Sequence, residues 1–149
     1  MKRYIIVVFL IISVTTFAQE EKVNLKWLTS IEKAQKVSKK SKKPILVFFT
    51  GSDWCTPCRK LEEDFFSTEE FIKKSDNFIL VIIDKPFRVD IISEKQMEYN
   101  NKIIAKYNPK KTFPKMLILN SKGKVLDKMS GYSYYGETSN HFAFINRNI

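Results

Sequence analysis

Cys55 and Cys58 are the only cysteines in the chain, and two residues separate them. They stand in Trp54-Cys55-Thr56-Pro57-Cys58-Arg59, after an apolar run from Pro44 to Phe49 and before Leu61, Phe65 and Phe66 at helical spacing. A Cys-x-x-Cys between a strand and a helix is suited to thiol–disulfide exchange. A bridge across so short a spacer closes too small a loop to stabilise much through chain entropy, so chemistry explains the pair better than stapling. Metal binding is the weaker alternative. Zinc needs more ligands than two thiolates, and the single histidine, His141, falls in the last predicted helix, where it reads as a surface residue.

The elements around the pair follow from hydrophobic periodicity. Leu25, Trp27, Leu28, Ile31, Ala34 and Val37 recur at three- and four-residue spacing, which predicts a helix starting near Thr29 or Ser30. Lys36, Lys39, Lys40, Lys42 and Lys43 crowd its end, where cations suit the helix dipole. The run is short and lacks interleaved aromatics or arginines, so no nucleic-acid partner is expected. Ile45 to Phe49 is a continuous apolar run between breakers, the pattern of a fully buried strand, and Thr50 to Asp53 turns out of it. The Cys motif then opens a helix to about Phe66, and Ser67-Thr68-Glu69-Glu70 starts another. Phe78 to Ile83 is a second buried strand, Lys85 to Ile92 a long connecting loop, and Ser93 to Tyr107 a helix stopped by Asn108-Pro109. Lys115 to Asn120 and Val125 to Ser130 form a hairpin about Ser121 to Lys124. Tyr132, Tyr134 and Tyr135 are expected to cover a sheet end, before a last helix from Glu137 to Ile149. Strands joined by helices and closed by a hairpin make an α/β domain, with a mixed central sheet flanked by helices on both faces.

At 149 residues the chain fits one domain with a real core. Residues 1–18 stand apart. Lys2 and Arg3 precede an apolar run from Tyr4 to Val14, and Thr16-Phe17-Ala18 gives a small-x-small end before Gln19, the layout of a signal peptide cut after Ala18. A retained membrane anchor is the alternative, although the run falls short of the roughly 20 residues a spanning helix needs. The mature domain would be residues 19–149, and losing Lys2 and Arg3 takes the formal charge from +10 to +8. Exported domains often carry several structural disulfides, whereas this chain has one close pair. No phosphate-cradling glycine loop, nucleophile elbow or paired-carboxylate pattern appears, and no cofactor is expected.

With these elements in place the chain resembles the thioredoxin-like superfamily. The resemblance rests on Phe48 to Cys58 at the end of the first core strand and on Thr112-Phe113-Pro114 before the hairpin, where the fold carries a cis-proline. Gly123 in the hairpin turn and Gly131 after the last strand complete it. It implies the thioredoxin fold and a site built from Cys55 and Cys58, with Trp54, Thr56, Pro57, Phe113 and Pro114 around it. A thiol at a helix N-terminus has a lowered pKa, so Cys55, exposed there, is the expected nucleophile. Cys58, one turn inside, resolves the mixed disulfide. Pro57 sits where a missing N–H costs little, Trp54 shields one side, and the backbone at Phe113 is placed to pair with an extended substrate. The chain departs from the family pattern at three points. Most thioredoxins have a buried acid in the strand before the motif, but Leu46 to Phe49 has none, which leaves water or Asp53 to move the proton of Cys58. The lysine usual on the next core strand is also missing, and Phe113 is larger than the residue usual before the proline.

The expected function is an exported, periplasmic thiol–disulfide oxidoreductase reducing cysteine-containing exported proteins, recharged by a membrane thiol reductase. A disulfide donor or isomerase is the alternative within the same chemistry. A non-catalytic binding module using the groove at Phe113 and Pro114 is the alternative outside it.

Overall fold

The computed structural model describes residues 25–133 and 135–149. The signal segment and Tyr134 lie outside the described residues. Helix α1 (Ile31–Ser41) starts at Ser30, whose hydroxyl accepts the N–H of Lys33, and ends at Lys42 in the left-handed region. Strand β1 (Ile45–Thr50) is buried throughout. Helix α2 (Thr56–Leu61) runs straight into a π-helical turn, Glu62–Phe66, rather than staying α-helical to Phe66 as expected from sequence. The N–H of Ser67 reaches back five residues to the carbonyl of Glu62, and the wider turn lets two successive rings, Phe65 and Phe66, both enter the core. Helix α3 (Glu69–Ser75) is capped by Thr68, and strand β2 (Ile79–Asp84) follows. Helix α4 (Glu94–Tyr107), capped by Ser93, leads to the hairpin of β3 (Lys115–Leu119) and β4 (Val125–Ser130), then to α5 (Ser139–Asn146).

The sheet order is β2-β1-β3-β4. β1 pairs in parallel with β2 and antiparallel with β3, and β3 pairs antiparallel with β4. This is the mixed sheet expected from sequence. Its centre is β1, and alternation along that strand sorts the core into two layers. Leu46 and Phe48 point with Met116 and Ile118 toward α2, the π turn, α3 and α5. Ile45, Val47 and Phe49 point with Leu117 and Leu119 toward α1 and α4. A strand covered on both faces has no solvated side to carry a polar residue, so Ile45 to Phe49 reads as an unbroken apolar run. Both cysteines belong to the first layer. Among the described residues no helix is long and apolar enough to cross a membrane.

The last helix corrects one expectation. His141 is buried, 4 % exposed, because His141, Phe144 and Ile145 share the inward face of α5. The tyrosine-rich loop divides: Tyr132 packs against the first layer, while Tyr135 is exposed and covers no sheet end.

Candidate functional site

The site lies where β1 ends. The N–H groups of Trp54 and Cys55 both bond to the carbonyl of Gly51, at 3.2 and 2.8 Å, closing a tight turn that delivers Cys55 to the N-cap of α2. The carbonyl of Cys55 accepts the N–H groups of Cys58 and Arg59, so the helix begins at the first sulfur. Cys55 and Cys58 are joined as a disulfide, with Cα atoms 5.2 Å apart. Cys58 is fully buried, as expected one turn inside. Cys55 is not exposed as the sequence suggested: only 3 % of it is accessible, because it packs within the first core layer, against which Trp54 and Phe113 also pack. Thr56 and Pro57 are exposed on the opening turn of α2, with Pro57 at its start. The Phe113–Pro114 peptide bond is cis, and Pro114 is buried just ahead of β3.

Trp54 does more than shield. Its indole N–H donates to the carbonyl of Lys85 at 2.7 Å, its ring stacks on Phe87 at 5.0 Å, and its edge meets Phe113 at 5.4 Å. The ring also lies against Gly51, where a Cβ would overlap it. Next to it, Asp53 accepts the N–H of Phe87 with both oxygens, at 2.9 and 3.0 Å, and that of Arg88 at 2.8 Å. Desolvation works against the Asp53 carboxylate, but the backbone donors of Arg88 and Phe87, with the Arg88 charge, outweigh it and hold its pKa below the usual range. A carboxylate stabilised in its charged form is a poor proton acceptor. Asp53 therefore clamps the loop through its bonds to the Phe87 and Arg88 backbone.

The acid near Cys58 is Glu62. Its N–H bonds to the carbonyl of Cys58, so the two side chains stand one turn apart on the same helix face. Glu62 is half-buried and accepts the hydroxyl of Thr50, the last residue of β1, at 3.3 Å. Burial pushes its carboxyl pKa up. The Thr50 hydroxyl opposes this, Asp84 and Glu63 add to it, and Arg59 counters in part. Asp84, at the end of β2, accepts the N–H and hydroxyl of Ser52 at 2.9 and 2.6 Å, which pins the motif turn to the neighbouring strand. Sequence reasoning looked for an acid in the strand. Counting four residues on from Cys58 would have found it in the helix.

A family model described as thioredoxin-like matches residues 26–121. The chain belongs to the thioredoxin-like family. Within it, the chain is 34 % identical over 107 residues to the disulfide bond reductase DsbH of Chlamydia pneumoniae, covering 71 % of this chain and 63 % of that protein. It is 29 % identical over 119 residues to the thiol:disulfide interchange protein DsbD of Campylobacter jejuni, covering 79 % of this chain but only 19 % of that protein. The chain thus spans less than two thirds of the length of these curated relatives. A solved DsbH oxidoreductase structure superposes with a TM-score of 0.67 at 30 % identity, covering 83 % of this chain and 85 % of that one. The thioredoxin fold expected from the Cys and Phe-Pro motifs is the fold of this domain.

Proposed function

We propose that this thioredoxin-like domain is an exported thiol–disulfide oxidoreductase that reduces disulfides in other exported proteins. The observation that carries the reading is the alignment of Cys55, Cys58 and Glu62 along one helix, beside Phe113 and the cis Pro114. In the reduced protein the Cys55 thiolate, at the helix N-terminus, attacks one sulfur of a substrate disulfide and releases the other as a thiolate. Cys58 then loses its proton to Glu62, directly or through water, and attacks the Cys55 sulfur. The second substrate thiolate leaves, and two electrons have passed to the substrate. The protein is left with the Cys55–Cys58 disulfide seen here. A dithiol donor, by our reading a membrane thiol reductase, restores the pair by the reverse exchange. Phe113 offers its backbone to an extended substrate strand, and Thr56 and Pro57 form the exposed lip of the site. The likeness to a disulfide bond reductase supports the chemistry and the direction, and that to a thiol:disulfide interchange protein supports the chemistry. The signal-like segment at residues 1–18, with the mature domain at 19–149, supports export to the periplasm.

Insulin reduction by the purified mature chain tests the activity, and equilibration of Cys55–Cys58 against defined thiol buffers tests the direction. A couple near roughly −270 mV agrees with a reductant, and one near roughly −120 mV makes the protein a disulfide donor instead. Cys58→Ser should hold substrates as mixed disulfides on Cys55. Unchanged biological effect in a Cys55→Ser, Cys58→Ser double variant would leave only the binding-module reading standing.

A further inference from the structure

The sequence marks Asn108-Pro109 only as the stop of α4. Asn108 stops the helix with its backbone alone. Its N–H donates to the Ile104 carbonyl at 2.8 Å, and its carbonyl accepts the Lys111 N–H at 2.8 Å. The side chain has a different task. It is fully buried, and a buried amide is tolerated only where its polar atoms are bonded. Its Nδ2 donates to the Thr112 carbonyl at 2.7 Å, and its Oδ1 accepts the Thr112 N–H at 3.1 Å and the Thr112 hydroxyl at 3.0 Å. Lys115 backs the amide, with its Nζ donating to the Tyr107 carbonyl at 2.9 Å and lying 3.5 Å from Asn108 Oδ1. An apolar side chain could end the helix and fill the core equally well. It could not hold both backbone groups of Thr112.

These bonds close residues 108–112 into a fixed loop. Pro109 sets one of its backbone angles, and Lys111 lies in the left-handed region at φ 51°, which residues other than glycine rarely adopt. A residue in that region persists where its surroundings over-determine it, and a loop pinned at both ends by Asn108 does so. Phe113 follows directly. Beyond it the Pro114 carbonyl accepts the Gly131 N–H at 2.8 Å, and Lys115 enters the sheet opposite Phe49 and Ser130. Phe113 thus lies between two anchors, and neither uses its N–H or its carbonyl. Its ring meets Trp54, the neighbour of Cys55, edge-on at 5.4 Å. The downstream anchor is the sheet itself. The upstream anchor is one side chain.

We propose that Asn108 is a positioning residue for the substrate strand. By holding Thr112 through both backbone groups, it keeps the Phe113 backbone set for an extended polypeptide before that polypeptide arrives. The proposal rests on the thiol–disulfide reading above and adds to it the residue that prepares the groove. Without this lock the segment has to be ordered during binding, a cost that falls on affinity rather than on the sulfur chemistry. A small disulfide, which makes no strand pairing, escapes that cost.

The test compares two substrates of the purified reduced protein: insulin, a polypeptide disulfide, and a small aromatic disulfide. In Asn108→Ala the KM for insulin should rise about tenfold, the worth of about one hydrogen bond, with kcat unchanged. Release of the first aryl thiolate from the small disulfide should stay within about twofold of the wild-type rate. Asn108→Asp keeps an acceptor for the Thr112 N–H and hydroxyl and loses only the donor to the Thr112 carbonyl. Its KM for insulin should fall between those of the wild type and Asn108→Ala, and it decides the question if Asn108→Ala does not fold. A wild-type KM in the folded variants overturns the positioning role. So does equal slowing of both substrates, the mark of a residue that only supports the fold. In either case the wild-type protein still reduces the small disulfide. Failure of the wild type to reduce it overturns the thiol–disulfide reading itself, and this proposal with it.

Discussion

Replacing Glu62 by glutamine separates a proton carrier from a structural residue. Glutamine keeps the shape of Glu62 and an oxygen for the Thr50 hydroxyl, but it cannot take a proton from Cys58. The geometry sets the size of the effect. Four helical residues separate the two positions by about 6 Å along the axis, a span the proposed transfer crosses directly or through one water. General acid–base groups contribute about 10²- to 10⁴-fold, and a half-buried acid with a long 3.3 Å partner bond belongs at the low end. The resolving step should slow about 10²-fold, equivalent to about 2.7 kcal/mol of barrier. The assay is single turnover of an aromatic disulfide. Release of the first aryl thiolate reports attack by Cys55, and release of the second reports attack by Cys58. In the wild-type protein the second rate should climb through the raised pKa of Glu62. In Glu62→Gln it should climb only where Cys58 itself ionises.

Stability supplies an independent sign. Burial raises the Glu62 pKa in the folded state, so the folded protein holds a proton that the unfolded chain releases at the ordinary glutamate value. The contribution of the protonated group is full below that ordinary value, about 4.3, and is lost as pH rises through the raised one. Glu62→Gln removes this loss. The variant should therefore match or exceed wild-type stability at pH 7, and the difference should vanish in acid. Slower and no less stable is the pattern of a residue kept for its chemistry. A variant with the wild-type second rate and an unchanged pH profile would refute the assignment, and one destabilised at pH 7 would make Glu62 structural.

Gly51→Ala should displace the Trp54 ring, since a Cβ there overlaps the indole; a red shift in tryptophan emission and slower attack on protein disulfides would register it. Phe65→Ala should cost about 3–5 kcal/mol in urea unfolding, because Phe65 is fully buried among Phe66, Phe71 and Phe142. His141 gives a pH dependence of opposite sign to Glu62. Burial lowers its pKa against the opposing backbone of Gly131, and its Nδ1 has no hydrogen-bond partner among the described residues, so the folded state disfavours the imidazolium. Its contribution should be full above about pH 6.5 and lost as pH falls through that ordinary value toward the depressed one, a slope that His141→Phe should flatten.

The fold was legible because its elements announce themselves locally. The caps at Ser30, Thr68 and Ser93, the unbroken apolar run of β1 and the turn glycine of the hairpin depend only on neighbours in sequence. The cysteine pair was legible for the same reason. What escaped was set by packing across the sheet. The π turn at Glu62–Phe66 serves two rings that must both reach the core, a demand no local propensity encodes. The burial of Cys55 comes from its place in a core layer whose other members, and the Trp54 and Phe113 rings packed against it, come from across the fold. His141 could have been read correctly, since its spacing to Phe144 and Ile145 is that of one helix face.

Glu62 shows why a missing motif residue is weak grounds for a missing function. A proton acceptor for a buried thiol has to meet two physical conditions: it must reach the sulfur, and it must lie where its own charge is costly enough to raise its pKa. A strand position before the motif meets both. The helix position four residues after Cys58 meets the second, since burial and the Asp84 charge raise the Glu62 pKa beside the Thr50 hydroxyl, and its place one turn on from Cys58 meets the first in the proposed mechanism. The absence of an acid from Leu46 to Phe49 therefore does not favour a vestigial redox pair. In the proposed mechanism the proton path runs instead through the helix that already carries both sulfurs.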